Sequence, residues 1–353
     1  MALRMMADIN SASGAATPIT IAVDAMGGDH APKEIIKGAC EGVKRLGCRL
    51  ILVGDEPHIQ RYLSRLKPSV DVTVLHAPEF IDMGENPANA IRRKPNSSIV
   101  RCARLVSEGK AQAMVSAGST GASMAVATLI LKRVPGIDRP AIASIFPTMK
   151  GQAVVLDVGA NVDCSVENLV QFASMGSIYS RDVMGVRDPR VGLLSIGEEP
   201  TKGNELTKAA YKALAQSDLN FIGNIEGGPL FEGGADVVVC DGFVGNVALK
   251  VAEGVAKMAK TLAIERLWHH PIYKLLLIAM SPGLRQLDKD LDCEEAGGAP
   301  LLGVNGIVVI SHGNSKAKSI TNAMRLAIRA HEKNTLSHIK KSLKAQVREI
   351  VSV

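Results

Sequence analysis

Residues 19–30 read ITIAVDAMGGDH, an apolar run rich in β-branched residues that ends on an acid and a glycine pair. A short run of this kind, apolar at successive positions and closed by turn residues, is the pattern of a strand buried on both faces. The pattern recurs at RLILVG (49–54), VDVTVL (70–75), AMVSAG (113–118), AVVLDVG (153–159), RVGLLSIG (190–197), LNFIG (219–223), DVVVCDG (236–242) and GIVVISHG (306–313). The spans between these runs are long enough for crossover helices. The alternation predicts an α/β fold of three layers, α/β/α, around a mainly parallel, doubly wound sheet.

In such sheets ligands bind beyond the carboxyl ends of the strands. The turns there read DAMGGDH, SAGSTGA, DVGANVD, IGEEPTKGNE, GNIEGG, CDGFVGN and SHGNSKA. Taken singly, each serves turn geometry or caps the next helix. Together, small, polar and glycine-rich, they are expected to converge on one rim and form an anion pocket.

The chain has 353 residues, with 41 Lys plus Arg against 35 Asp plus Glu, a formal charge of +6. That balance suits an anionic partner, but aromatic residues make up only 3% of the chain, too few for base stacking. Phosphate, an acidic protein or an anionic lipid surface fits better than nucleic acid. No apolar run approaches the roughly 20 residues that cross a bilayer. Residues 1–18 lack a secretory apolar stretch and read as a disordered leader or an upstream start. One α/β domain is expected over 19–335, with a Pro-interrupted helical excursion over 254–287 that serves as core, as a dimer face, or as a hydrophobic surface that lies on a membrane or grips an acyl chain. Residues 336–353 have apolar residues at helical spacing and predict a terminal amphipathic helix. Six cysteines without C-x-x-C spacing speak against zinc and a disulfide framework, and they fit a reducing cytoplasm.

No two glycines are two apart, so the dinucleotide fingerprint G-x-G-x-x-G is absent, and Arg104 stands where a P-loop glycine before Gly109 and Lys110 would be. There is no G-x-S-x-G elbow and no H-E-x-x-H. The nucleophile is therefore expected from the substrate, with no cofactor. Residues 115–122 read as strand, small-residue turn and helix start, offering Ser116, Gly118, Ser119, Thr120 and Gly121 to a phosphate. Lys202, between Pro200 and a helix start, is placed to neutralise a phosphate or an oxyanion, or else is a solvated surface lysine. His30 has a similar alternative. Asp157, Asn161, Asp163, Asp241 and Asn246 suit a metal with oxygen ligands, a polar substrate, or helix capping.

Eight strings carry a family likeness: AVDAMGGDHAP (22–32), RRKPNSS (92–98), SAGSTGA (116–122), GIDRPA (136–141), LDVGANVD (156–163), KGNELTK (202–208), DGFVGN (241–246) and SHGNS (311–315). In this order, from about Ile19 to Ala330, the chain closely resembles the PlsX-type phosphate acyltransferases. The resemblance implies acyl transfer from acyl carrier protein to inorganic phosphate by a homodimer at the membrane periphery. The acyl phosphate then feeds a membrane glycerol-3-phosphate acyltransferase. It also implies a fold like that of phosphotransacetylases and of isocitrate and isopropylmalate dehydrogenases. On this reading Lys202 leads the catalytic candidates, followed by His30 and Asn246. Ser116, Gly118, Ser119, Thr120, Gly121, Asp157, Asn161, Asn204, Asp241 and His312 bind substrate, Arg92, Arg93 and Lys94 receive the carrier protein or else form a solvated helix face, and no metal is implied. The chain departs from the family string at Ser119, where Asn is usual, and at Pro229, near a usual acid. Three alternatives stay open: a phosphotransacetylase using a coenzyme A thioester, a non-catalytic scaffold that binds acyl carrier, and a dehydrogenase with a nicotinamide site of non-Rossmann type, which the absent glycine fingerprint does not exclude.

Overall fold

The computed structural model describes residues 18–268 and 297–342, together with residues 273, 280, 281 and 283. Among these residues eleven strands form one sheet. In chain order they are β1 (Thr20–Asp24), β2 (Arg49–Gly54), β3 (Thr73–His76), β4 (Ala113–Ser116), β5 (Ala141–Thr148), β6 (Gly151–Leu156), β7 (Val191–Leu194), β8 (Phe221–Ile225), β9 (Val237–Val239), β10 (Ala299–Leu302) and β11 (Ile307–Ile310). The helices that position the site are α1 (Lys33–Leu46), α2 (Glu56–Leu66), α3 (Pro87–Arg93), α4 (Ser98–Ser107), α5 (Thr120–Val126), α6 (Val166–Tyr179), α7 (Glu205–Ala215), α8 (Gly227–Glu232), α9 (Gly242–Trp268) and α10 (Ala317–Glu332).

Spatial order is β3-β2-β1-β4-β11-β10-β5-β6-β9-β7-β8. Seven of the ten pairings are parallel, so the expected mainly parallel sheet is present. Each of the nine runs read from the sequence overlaps a strand. Burial explains their continuous hydrophobicity. Ile21 and Val23 of β1 enter the core on one face and Ala22 the core on the other; Val154 and Leu156 of β6 are likewise opposed to Ala153 and Val155. Both faces are covered by helices, α1 packing on α10 on one side and α4 lying over β1, β2 and β4.

Two strands, β5 and β10, lie outside the sequence reading, and they change the geometry. β10 (APLL) contains Pro300, and β5 (AIASIFPT), although the longest strand, is interrupted by Ser144 and Pro147, so neither reads as an unbroken apolar run closed by a turn. β10 is antiparallel to both β11 and β5, and β5 is antiparallel to β6. The half made of β3, β2, β1, β4 and β11 therefore runs opposite to the half made of β6, β9, β7 and β8. The turns expected on one rim leave the sheet as two separate sets.

α9 runs through residues 254–268 of the expected excursion; most of 269–287 lies outside the described residues, as do residues 1–17 of the leader and 343–353 of the terminal amphipathic stretch. Residues 335–342 are helical. Among the described residues no helix is long and apolar enough to cross a membrane.

Candidate functional site

The first set of turns follows β1, β4 and β11. Asp24, the last residue of β1, is 2% exposed. Its carboxylate accepts from Ser116 Oγ at 2.8 Å and from Met26 N–H at 3.2 Å. Burial pushes the Asp24 carboxyl up, while the Ser98 and Ser116 hydroxyls and the Met26 and Gly27 amides pull it back. Ser116 Oγ in turn accepts from Gly118 N–H at 3.1 Å. An added Cβ at Gly27 would stand 2.7 Å from Gly118 N and 2.8 Å from Asp24 Oδ2, so only glycine admits this approach. Gly28, at φ +101°, turns the chain so that Asp29 N–H donates to Gly313 O at 2.7 Å. Ser311 N–H donates to Ser116 O at 2.8 Å, which joins the β11 turn to the β4 turn.

The first set thus brings together Asp24, Gly27, Gly28, Ser98, Ser116, Gly118 and the turn that carries His312. Ser119 caps α5, its hydroxyl accepting from Ala122 N–H at 3.4 Å. The Ser116 and Ser119 hydroxyls are therefore spent on shaping the turn. Ala122 and Ser123 N–H both donate to Ser119, so the hydroxyl of the exposed Thr120 and the Thr120 and Gly121 amides are the donors this helix start leaves over; the helix continues as a π-helical turn over Ala127–Leu131. His30 is exposed; His312 is exposed and pairs with Asn314 at 2.9 Å.

The second set follows β6, β7 and β9. Asp157 is fully buried. Its carboxylate accepts from the amides of Ile142 (3.0 Å), Gly159 (3.3 Å), Ala160 (3.1 Å) and Asn161 (2.6 Å) and from Asn161 Nδ2 (3.0 Å). Burial pushes its carboxyl up and these donors pull it back. Asp157 therefore shapes its own loop, and Asn161 also ties that loop to Pro140 O at 2.8 Å. Asn204 caps α7 by accepting from Thr207 N–H at 2.9 Å, and Asp241 caps α9 by accepting from Val244 N–H at 2.9 Å. Capping thus accounts for two residues expected to bind substrate. Asn246, exposed on the first turn of α9, lies beside Gly159, where an added Cβ would stand 3.6 Å away. Lys202 is exposed, with its alkyl stem against Gly197.

Burial pushes the Cys164 thiol up to about 11 and the Cys240 thiol well above its ordinary range, so neither offers a thiolate near neutral pH. Among the described residues no three His, Cys, Asp or Glu side chains gather in a metal-binding group, and no hydrogen bond or ion pair joins the first set to the second.

The basic stretch is divided. Arg92 and Arg93 are exposed at the end of α3, whereas Lys94 donates to Glu85 and to Phe80 O and is held in place by them. Asp24 and Ser98 escaped the sequence reading, although both lie inside quoted strings. A single acid at a strand end and the second of two serines give no signal before the fold buries them.

The chain matches the family described as "Fatty acid synthesis protein" over residues 19–338. The chain belongs to this family. It is 52% identical over 324 residues to the phosphate acyltransferase of Desulfitobacterium hafniense (strain DSM 10664 / DCB-2), covering 92% of this chain and 97% of the relative. To the phosphate acyltransferase of Heliobacterium modesticaldum it is 50% identical over 334 residues, covering 94% and 99%. Among solved structures, a phosphotransacetylase from Streptococcus pyogenes aligns with a TM-score of 0.60 at 18% identity, over 89% of this chain and 94% of that one. A 4-hydroxythreonine-4-phosphate dehydrogenase from Klebsiella pneumoniae aligns at 0.52 and 16%, over 93% and 99%. These two likenesses concern the fold, and they agree with the α/β/α architecture. This member of the fatty acid synthesis protein family is an acyltransferase, as its relatives are named.

Proposed function

We propose that the chain transfers a fatty acyl group from acyl carrier protein to inorganic phosphate, and that a membrane glycerol-3-phosphate acyltransferase consumes the acyl phosphate in phospholipid synthesis. The observation that carries this reading is the 52% identity, across 92% of the chain, to a protein named for phosphate acyl transfer. The turn over residues 116–122 supports it, because Asp24 and Ser116 fix its shape and leave helix-start amides and the Thr120 hydroxyl for an anion. Bound orthophosphate attacks the thioester carbonyl carbon, the carbon–sulfur bond breaks, and the carrier leaves as a thiolate. Lys202 stabilises the oxyanion that develops. His30 and Asn246 are secondary candidates, and the exposed pair Arg92 and Arg93 receives the acidic carrier.

β4 and β7 are six strand steps apart, roughly 29 Å at about 4.8 Å per step. The turn and Lys202 of one copy therefore stand apart, and the active unit proposed is a homodimer in which Lys202 of one copy serves the turn of the other. α9 supports this with Phe243, Val247 and Val251 exposed along one stripe, a surface that a second copy would bury. Farther along, exposed Met258, Leu262 and Ile264 support peripheral contact with a membrane on the cytoplasmic side.

The test follows thioester loss and acyl-phosphate formation by the purified chain, with and without phosphate, using carrier-bound and coenzyme A donors. Phosphate-dependent turnover of the carrier donor is expected. Turnover of the coenzyme A donor alone would move the reading to a phosphotransacetylase, and no turnover would leave a binding scaffold. Mixing Lys202→Ala and Thr120→Ala proteins should restore activity that neither has alone. Flotation with anionic liposomes at physiological salt checks the membrane contact.

A further inference from the structure

A cavity of about 450 Å³ opens between β7, α7 and the start of α9. Its walls are mainly aliphatic, Leu169, Leu194, Ile196 and Val244, with Ser195 among them. Both the volume and the mixture of apolar walls with few polar groups are those of a small-molecule site. The polar residues are not equivalent. Asn204 and Asp241 also line the cavity, but their side chains are engaged as helix caps. Ser195 Oγ is buried and has no hydrogen-bond partner, a condition that costs free energy until an acceptor arrives. Ile196, the next residue, is 82% exposed, so a large aliphatic side chain stands in water at this cavity. Lys202 crosses the same loop: an added Cβ at Gly197 would meet its Cγ at 2.8 Å, and Gly203 and Asn204, which follow it, line the cavity.

Aliphatic walls, one unpaired hydroxyl and one nearby cation do not suit free orthophosphate, which needs several donors. They suit a long hydrocarbon that ends in a carbonyl. We propose that this cavity takes the fatty acyl chain of the donor, with the Ser195 hydroxyl turning from its buried position to donate to the acyl carbonyl oxygen. The proposal rests on the acyl-transfer reading and adds where the chain is held and what measures it. Ile196 and Leu194 then discriminate between donors by the hydrocarbon they cover, and Ser195 acts on all donors alike.

The experiment compares palmitoyl- and butyryl-carrier donors at saturating phosphate, with thermal midpoints and oligomer mass recorded for each variant. Ile196→Asn is expected to lower kcat/KM for the palmitoyl donor about tenfold more than for the butyryl donor, the equivalent of one lost aliphatic contact. Ile196→Met should keep the wild-type preference, and Ser195→Ala should lower kcat/KM on both donors. Equal loss on the two donors, or none, with Ile196→Asn overturns the proposal. So does a change confined to oligomer mass, which would mean that a second copy covers the cavity. If wild-type protein turns over neither donor, the acyl-transfer reading itself has failed, and that result is distinct from a loss of selectivity.

Discussion

Ser116 Oγ donates to Asp24 Oδ2 at 2.8 Å and accepts from Gly118 N–H at 3.1 Å, so one hydroxyl couples the end of β1 to the glycine turn after β4. Neither interaction is open to solvent, since Asp24 is 2% and Ser116 1% exposed. Ser116→Ala removes a donor from a buried carboxyl and an acceptor from a backbone amide. The expected loss of stability is about 1–3 kcal/mol, read by urea denaturation. If the turn holds phosphate, KM for phosphate should rise in the same variant while KM for the acyl donor stays near its original value.

Gly27 tests the same coupling by volume. With 2.7 Å between an added Cβ and Gly118 N, Gly27→Ala must push two backbone segments apart. The expected cost is about 1–3 kcal/mol, with a fall in acyl-phosphate formation. Gly84→Ala is the control for a general effect of added methyls: it meets nothing within 4 Å, and Gly84 does not stand at a positive φ.

The strands were legible because burial on both sheet faces leaves an unbroken apolar signature, as in Ile21, Ala22 and Val23. The arrangement of the turns was not. It depends on β10 and β5, whose pairing with β11 and β6 reverses the second half of the sheet, and four residues containing Pro300 give no directional signal. The site is legible as strings. Ser116, Ser119, Asp157 and Asn204 all stand in them, and the folded chain engages each in holding its own loop. A capping carboxamide and a ligand-binding one have the same sequence signature.

Lys202 is exposed, and its removal should not disturb the core. Lys202→Ala is expected to lower acyl-phosphate formation about 10²–10³-fold at saturating phosphate, the usual cost of losing one oxyanion-stabilising group. Unchanged circular dichroism and thermal midpoint would separate this loss from unfolding. Near-wild-type turnover would remove Lys202 from the mechanism.

The acid limb of stability should report on Asp236. Burial opposes its charge, but the Arg190 guanidinium, donating from Nε at 3.0 Å and Nη2 at 3.1 Å, together with Arg190 N–H at 2.9 Å, outweighs burial and holds the carboxyl below the usual range. A carboxyl whose folded value is depressed contributes stability that is fully present above its unfolded value and lost as pH falls through the folded one. The native chain should therefore lose stability from about pH 4 downward, where an unfolded Asp takes up its proton. In Asp236→Asn that part of the acid limb should be absent. The variant should also be less stable at neutral pH, because Arg190 keeps its bonds to Gly233 O and Gly234 O but loses its counter-charge at the edge of β9. Urea midpoints measured from pH 3 to 7 on both proteins check the claim. Parallel curves, offset but with the same slope, would mean that the acid limb belongs to other carboxyls.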